Sequence, residues 1–215
     1  VGDPADWERA TAALMRAVET RGLPYRLREG EGAFYGPKID IDIEDALGRA
    51  WQCTTIQFDF NLAERFGLAF TDTDGEVRRP YMVHRALFGS MERFFGVLLE
   101  HYGGAFPVWL SPVQAVVIPI ADRHAPYAES VGKQLREQGL RVEVDTRDDR
   151  MRAKIRDAQL QKVPYMLVVG DREAESGAVS VRLRTEADLG PMPVQQVIDR
   201  MRAEVDRHSG VEGEG

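Results

Sequence analysis

Cysteine is almost missing from this chain: Cys53 is the only one in 215 residues. Disulfides within the chain are therefore impossible, a reducing compartment fits, and no zinc site can be built from thiolates alone. Long apolar runs are missing too, and nothing approaches the roughly 20 apolar residues that a membrane-spanning helix requires. The N-terminus lacks the basic, apolar, small-residue pattern of a signal peptide, so the expected compartment is the cytoplasm. No G-x-G-x-x-G follows the first strand of the second half, which disfavours a dinucleotide fold. Repeats and low-complexity tracts are also lacking, and the ending HSGVEGEG predicts a disordered acidic tail over residues 209–215.

What is present is a globular composition, 43% hydrophobic and 29% charged, long enough for two ordinary domains. The net charge of −7 argues against indiscriminate nucleic-acid binding, which depends on neutralising phosphates. The charge is unevenly spread. Residues 1–113 carry 12 basic and 17 acidic side chains, whereas residues 114–208 carry 16 of each. Between Arg150 and Lys162 five basic residues stand against Asp157, so a helix there either faces a phosphate backbone or is simply solvated.

Asp3-Pro4 is a helix start, followed by Trp7, Ala10, Leu14 and Val18 at helical spacing and stopped by Gly22 and Pro24. The alternation in KIDIDIE, Lys38–Glu44, predicts a half-buried strand of an antiparallel sheet, with Ile39, Ile41 and Ile43 on one face. Arg49–Phe60 and Tyr81–Phe88 supply two more strands. Gln52 and Gln57, five apart, fall on opposite faces unless a bulge intervenes.

In YMVHRALFGSMERFF, Met82, His84 and Ala86 share one strand face, Gly89 and Ser90 turn the chain, and Ser90 caps a helix carrying Arg93 in its first turn. An arginine at that positive helix end can clamp a phosphate, or pair with a surface carboxylate. Phe106–Gln114, with two prolines, is the expected linker, and the domain boundary is expected near Pro112. Beyond it, strand, helix, strand, basic helix and strand predict a parallel α/β sheet. A strand at Ala178–Arg184, after an acidic turn, is expected to add antiparallel before a final helix from about Val194 to His208.

The segments GEGAFYGPKID, RAWQCTTIQFDF, HRALFGSMERF, FPVWLSPVQ and VPYMLVVGDRE, in this order, closely resemble the C-terminal portion of the bacterial threonyl-tRNA synthetase family. The resemblance implies part of a class II antiparallel-sheet catalytic domain over residues 1–112. It implies an α/β anticodon-binding domain with a mixed sheet over residues 113–208. The implied activity is threonine–tRNA ligation through threonyl-adenylate, with tRNA(Thr), threonine and Mg2+-bound ATP as partners. The full-length enzyme is implied to be a homodimer with no membrane association.

HRALFGSMERF resembles class II motif 3, which makes Arg93 the implied contact to the ATP triphosphate. His84 resembles one of three protein ligands of a Zn2+ ion whose open positions accept the amino and hydroxyl groups of threonine. A required polar ligand discriminates threonine from valine far better than a shaped pocket does. Tyr35, Lys38 and Gln57 resemble residues around threonine and the adenylate, and Gln52 a contact to ATP or the terminal adenosine. Ser90 is structural first and substrate-facing second.

In the second domain Glu173 and Arg182 resemble a pair that reads an anticodon base, while Arg147, Lys154 and Arg156 would touch the RNA backbone. Asp148 departs from the asparagine often found at that position. Motifs 1 and 2, the other zinc ligands and an editing domain have no counterpart here, so the sequence is expected to be a fragment, inert alone in aminoacylation. Two other readings stay open: a non-catalytic RNA-binding module of synthetase architecture, and a sibling synthetase for proline, glycine or histidine.

Overall fold

The computed structural model describes residues 2–208, which form two compact units divided between His101 and Tyr102. The expected tail, residues 209–215, lies outside the described residues.

The first unit opens with α1 (Pro4–Thr20). The Asp3 carboxylate accepts from the Ala5 N–H at 2.8 Å, and Pro4 sits at the first helical position, where no N–H is needed. Next come β1 (Lys38–Glu44) and β2 (Ala50–Asp59), joined by a turn that Asp45 closes by accepting from the backbone of Leu47 and Arg49 and from the Trp51 indole. A short helix α2 (Leu62–Arg65) and a small hairpin, β3 (Phe70–Thr71) with β4 (Val77–Arg78), lead to β5 (Met82–Ala86) and α3 (Met91–Tyr102).

β1, β2 and β5 make one antiparallel sheet in that order. Among the described residues no strand pairs with the outer edge of β1 or β5. The apolar face predicted from KIDIDIE is only partly covered: Ile39 is half-buried, but Ile41 and Ile43 are 44% and 41% exposed.

The second unit is a three-layer α/β fold. Its elements are β6 (Ala115–Pro119), α4 (Ala125–Glu137), β7 (Val142–Val144), α5 (Met151–Leu160), β8 (Tyr165–Val169), α6 (Asp171–Ser176), β9 (Ala178–Leu183), β10 (Asp188–Pro193) and α7 (Val194–Asp206). The sheet order is β10-β9-β8-β6-β7, with β7, β6 and β8 parallel and β9 and β10 antiparallel. Val117, Leu167 and Val181 face Leu135 of α4 and Met201 of α7, while Val116, Ile118 and Met166 face Ile155 and Ala158 of α5. Burial on both faces is why β6 and β8 are apolar throughout.

Two elements depart from the sequence pattern. The acidic turn is a short helix, α6, whose Glu173 accepts from the Gly170 N–H at 3.0 Å and whose end is Gly177 in the left-handed region. β10 forms despite Pro191 and Pro193, because an edge strand needs ladder donors on one side only. The segment expected as linker is bonded within the second unit: Arg141 donates to the Trp109 and Ser111 carbonyls, and the Gln114 side chain to that of Val108.

Candidate functional site

The sheet register of the first unit gathers most of the expected residues on one face. Lys38 pairs with Gln57 across β1 and β2, and Gln57 pairs with His84 across β2 and β5, so the three side chains form a row across the sheet. Tyr35 joins them from the segment leading into β1. Its carbonyl accepts from the Phe60 N–H at 2.9 Å, and its hydroxyl donates to Gln57 Oε1 at 3.0 Å. Gly36 makes this path possible, since a Cβ there would lie 2.2 Å from the Phe58 carbonyl oxygen.

Gln52 reaches the same face through a bulge. The register shifts between Ile41 and Asp42, so Thr54 and Gln52 pair with consecutive residues and the buried Cys53 is the extra one. A bulge of this kind re-aims a side chain. Gln52 Nε2 donates to Asp40 Oδ1 at 2.7 Å and to Thr55 Oγ1 at 3.2 Å. Asp40 also accepts from Thr55 Oγ1 at 2.8 Å and pairs with Lys38 Nζ at 2.6 Å. Partial burial works to raise the Asp40 pKa, but Lys38, Thr55 and Gln52 together hold it below the usual carboxylate range.

Motif residues at the start of α3 close onto this bulge. Ser90 Oγ accepts from the Arg93 N–H at 3.1 Å, which makes Ser90 the helix cap. Arg93 Nη1 donates to the Gln52 carbonyl at 2.9 Å, holding an exposed guanidinium at the positive end of the helix. Gly89, with φ +69°, lies so close that a Cβ would stand 3.1 Å from the same carbonyl oxygen.

His84 Nε2 lies 2.8 Å from Asp59 Oδ2, and Asp59 Oδ1 accepts from the N–H groups of Asn61 and Leu62. The His84 side chain is 42% exposed and that of Asp59 3%. Burial pushes the Asp59 pKa up, yet His84 and the two backbone donors outweigh it and keep the carboxyl below its usual range. A carboxylate behind an exposed imidazole is how metal-binding histidines are oriented. However, among the described residues no group of three or more His, Cys, Asp or Glu side chains is placed to hold a metal ion. The described residues by themselves do not fit a zinc centre.

In the second unit, Glu173 accepts from the Ser180 hydroxyl at 2.8 Å. Ser180 and Arg182 share one face of β9, and Arg182 lies 3.4 Å from Asp188 Oδ2. Arg147 is shared among Asp145, Asp149 and Asp157, at 2.8, 3.6 and 3.0 Å. Lys154 differs from the expectation of an RNA-facing cation: it is 5% exposed and its ammonium donates to the Asp145 carbonyl at 3.1 Å, because its position falls on the packed side of α5. Arg156, on the same helix, is exposed.

Asp40, Thr55 and Asp59 were not singled out from the sequence. Alternation placed Asp40 beside Lys38 and Asp59 beside Gln57, so the signal was available.

These folds have counterparts among known proteins. The tRNA synthetase class II core domain (G, H, P, S and T) family matches residues 7–102, and the anticodon binding domain family matches residues 114–204. The threonine–tRNA ligase of Sulfurihydrogenibium sp. (strain YO3AOP1) is 55% identical over 202 residues, which are 94% of this chain and 31% of that protein. The chain belongs to the threonyl-tRNA synthetase family. The threonine–tRNA ligase of Acetivibrio thermocellus is 54% identical over 201 residues, 94% of this chain and 32% of that one. The crystal structure of the RNA binding domain of threonyl-tRNA synthetase from Cryptosporidium parvum Iowa II superposes with a TM-score of 0.86 at 40% identity, covering 100% of this chain and 53% of that one. The chain thus spans about a third of the length of the curated relatives it matches.

Proposed function

We propose that this chain serves threonine–tRNA ligation, with residues 1–112 supplying part of the catalytic domain and residues 113–208 binding the anticodon. The observation that carries the reading is the row Lys38, Gln57 and His84 on one sheet face, with Tyr35 on Gln57 and Arg93 anchored at Gln52.

In the first step the threonine carboxylate attacks the α-phosphate of Mg2+-bound ATP, giving threonyl-adenylate and releasing pyrophosphate. In the second a ribose hydroxyl of the tRNA terminus takes the threonyl group and AMP leaves. Arg93 has donors beyond the one bound to Gln52 and offsets charge on the phosphates, while Lys38 carries a second cation to the same face. Tyr35, Gln52 and Gln57 orient substrate groups, so that positioning supplies much of the rate. His84, with Asp59 behind it, would give one ligand to a zinc ion whose chemistry is to bind the threonine amino and hydroxyl groups. The remaining ligands are not among the described residues.

Glu173 and Arg182 would read an anticodon base, and Arg156 would meet the backbone. Arg147 and Lys154 are committed to carboxylates and a carbonyl. The setting is a cytoplasmic, homodimeric enzyme.

The test is a graft of this chain in place of the matching segment of the Sulfurihydrogenibium ligase. Threonine-dependent ATP–pyrophosphate exchange is expected in the graft and about 10²–10³-fold less with Arg93→Ala. A folded graft that exchanges no pyrophosphate overturns the reading. The chain alone is expected to show no exchange but to prefer tRNA(Thr) over the same tRNA with an altered anticodon.

A further inference from the structure

We propose that Asp40 is a positioning residue that holds the Gln52 side chain with its carbonyl oxygen, a hydrogen-bond acceptor, toward a bound nucleoside. This rests on the nucleotide reading above and adds what that reading leaves open, the chemical polarity of the contact.

An ionised carboxylate can only accept, so the group that Gln52 turns toward Asp40 must be its NH2. The same nitrogen lies 3.2 Å from Thr55 Oγ1, whose own hydrogen goes to Asp40. Nε2, Oγ1 and Oδ1 thus form a triangle that holds the amide nitrogen on the Asp40 side. Lys38 completes the arrangement by holding the other carboxylate oxygen at 2.6 Å. Gln52 is exposed, and with its NH2 held against Asp40 and Thr55 it turns Oε1 to a ligand.

Gln57, on the same face, is set in the opposite sense. Its Oε1 accepts from Tyr35, which leaves its NH2 to donate. The two amides therefore differ in what they recognise. Gln57 suits an acceptor such as a carbonyl or phosphate oxygen. Gln52 suits a donor, which on a nucleoside is an exocyclic amine or a ribose hydroxyl.

Asp40 touches the residues that would meet substrate, not the substrate itself. Removing it frees the Gln52 amide to rotate and releases the Lys38 ammonium, without opening a core, since Asp40 is exposed.

The experiment uses the full chain labelled with 15N, the Gln52 carboxamide being assigned through Gln52→Ala. In the unsubstituted chain the Gln52 carboxamide hydrogens are expected to exchange with water about tenfold more slowly than in Asp40→Ala, with Asp40→Asn between them. Equal rates overturn the positioning role. Unchanged backbone shifts at Cys53 and Ile56 in both variants exclude loss of the fold as the cause.

ATP is then titrated against purine riboside triphosphate, which lacks the amine, and against 2′-deoxy-ATP and 3′-deoxy-ATP. One of these analogues is expected to perturb Gln52 at about 3–10-fold weaker affinity than ATP, and the one that does identifies the donor. Equal affinities for all four overturn the acceptor assignment. If ATP moves none of Tyr35, Lys38, Gln57 and Arg93, the nucleotide reading falls and takes the ligand half of this proposal with it. The exchange rates still decide the role of Asp40 in that case.

Discussion

The two units are held together by different physics. In the second, apolar side chains from helices on both sides fill the sheet faces, and Ile120 and Leu160 are its only large hydrophobics strongly exposed among the described residues. In the first, the buried apolar side chains among those described are only Ala10, Pro37, Cys53, Phe60 and Ala63, while Ile41, Ile43, Val83 and Phe95 face solvent. What organises its sheet instead is a polar layer: Asp40 with its three partners, Asp45 with the hairpin, and Asp59 with His84. A closed core gives stability that tolerates surface change. A polar sheet face gives ligand geometry at the cost of stability.

The largest effect expected from this contrast is a core truncation in the second unit. Leu135→Ala removes a side chain that is 0% exposed and should cost about 2–5 kcal/mol, read as a lower midpoint in urea for that unit. An equally large effect on the first unit needs a backbone collision rather than a cavity. Gly36→Ala would force a Cβ onto the Phe58 carbonyl, so the Tyr35 and Gln57 resonances should shift widely while those of the second unit stay in place. Retention of the Tyr35 to Gln57 contact in that variant would break the account of how the site is positioned.

A smaller effect is expected from protons. Burial raises the Glu173 pKa, but hydrogen bonds from Ser180 and the Gly170 backbone hold it below its usual value of 4.5. The stability this contributes is complete above about pH 4.5 and is lost as pH falls through the lower folded value. Glu173→Gln should therefore destabilise the second unit at pH 7 and make little difference near about pH 2, measured by denaturation at both. The smallest effect is expected where the first unit is open. Ile43→Thr should change stability by no more than about 0.5 kcal/mol, and a loss like that of Leu135→Ala would mean that the face is covered in solution.

Much of the fold was legible because its signals are local. Asp3-Pro4 starts a helix through the Asp3 carboxylate and the fixed proline backbone, and AVVIP and YMLVV announce buried strands by composition. β10 was not legible, since its prolines argue against a strand until its edge position is known. The same division runs through the site. Arg93, Ser90 and His84 stand in one short motif, so their association follows from the chain itself.

By itself the sequence determined most of the element types, the family and the residues expected to carry chemistry, because periodicity, capping and motif spacing act over a few residues. Tertiary structure alone decided that Cys53 is a bulge bringing Gln52 onto the face of Gln57, that Asp40 holds both Lys38 and Gln52, and that Lys154 points inward. The first two depend on which strand pairs with which and in what register, and the third on which side of α5 packs. That pairing joins residues distant along the chain, where local pattern carries no information.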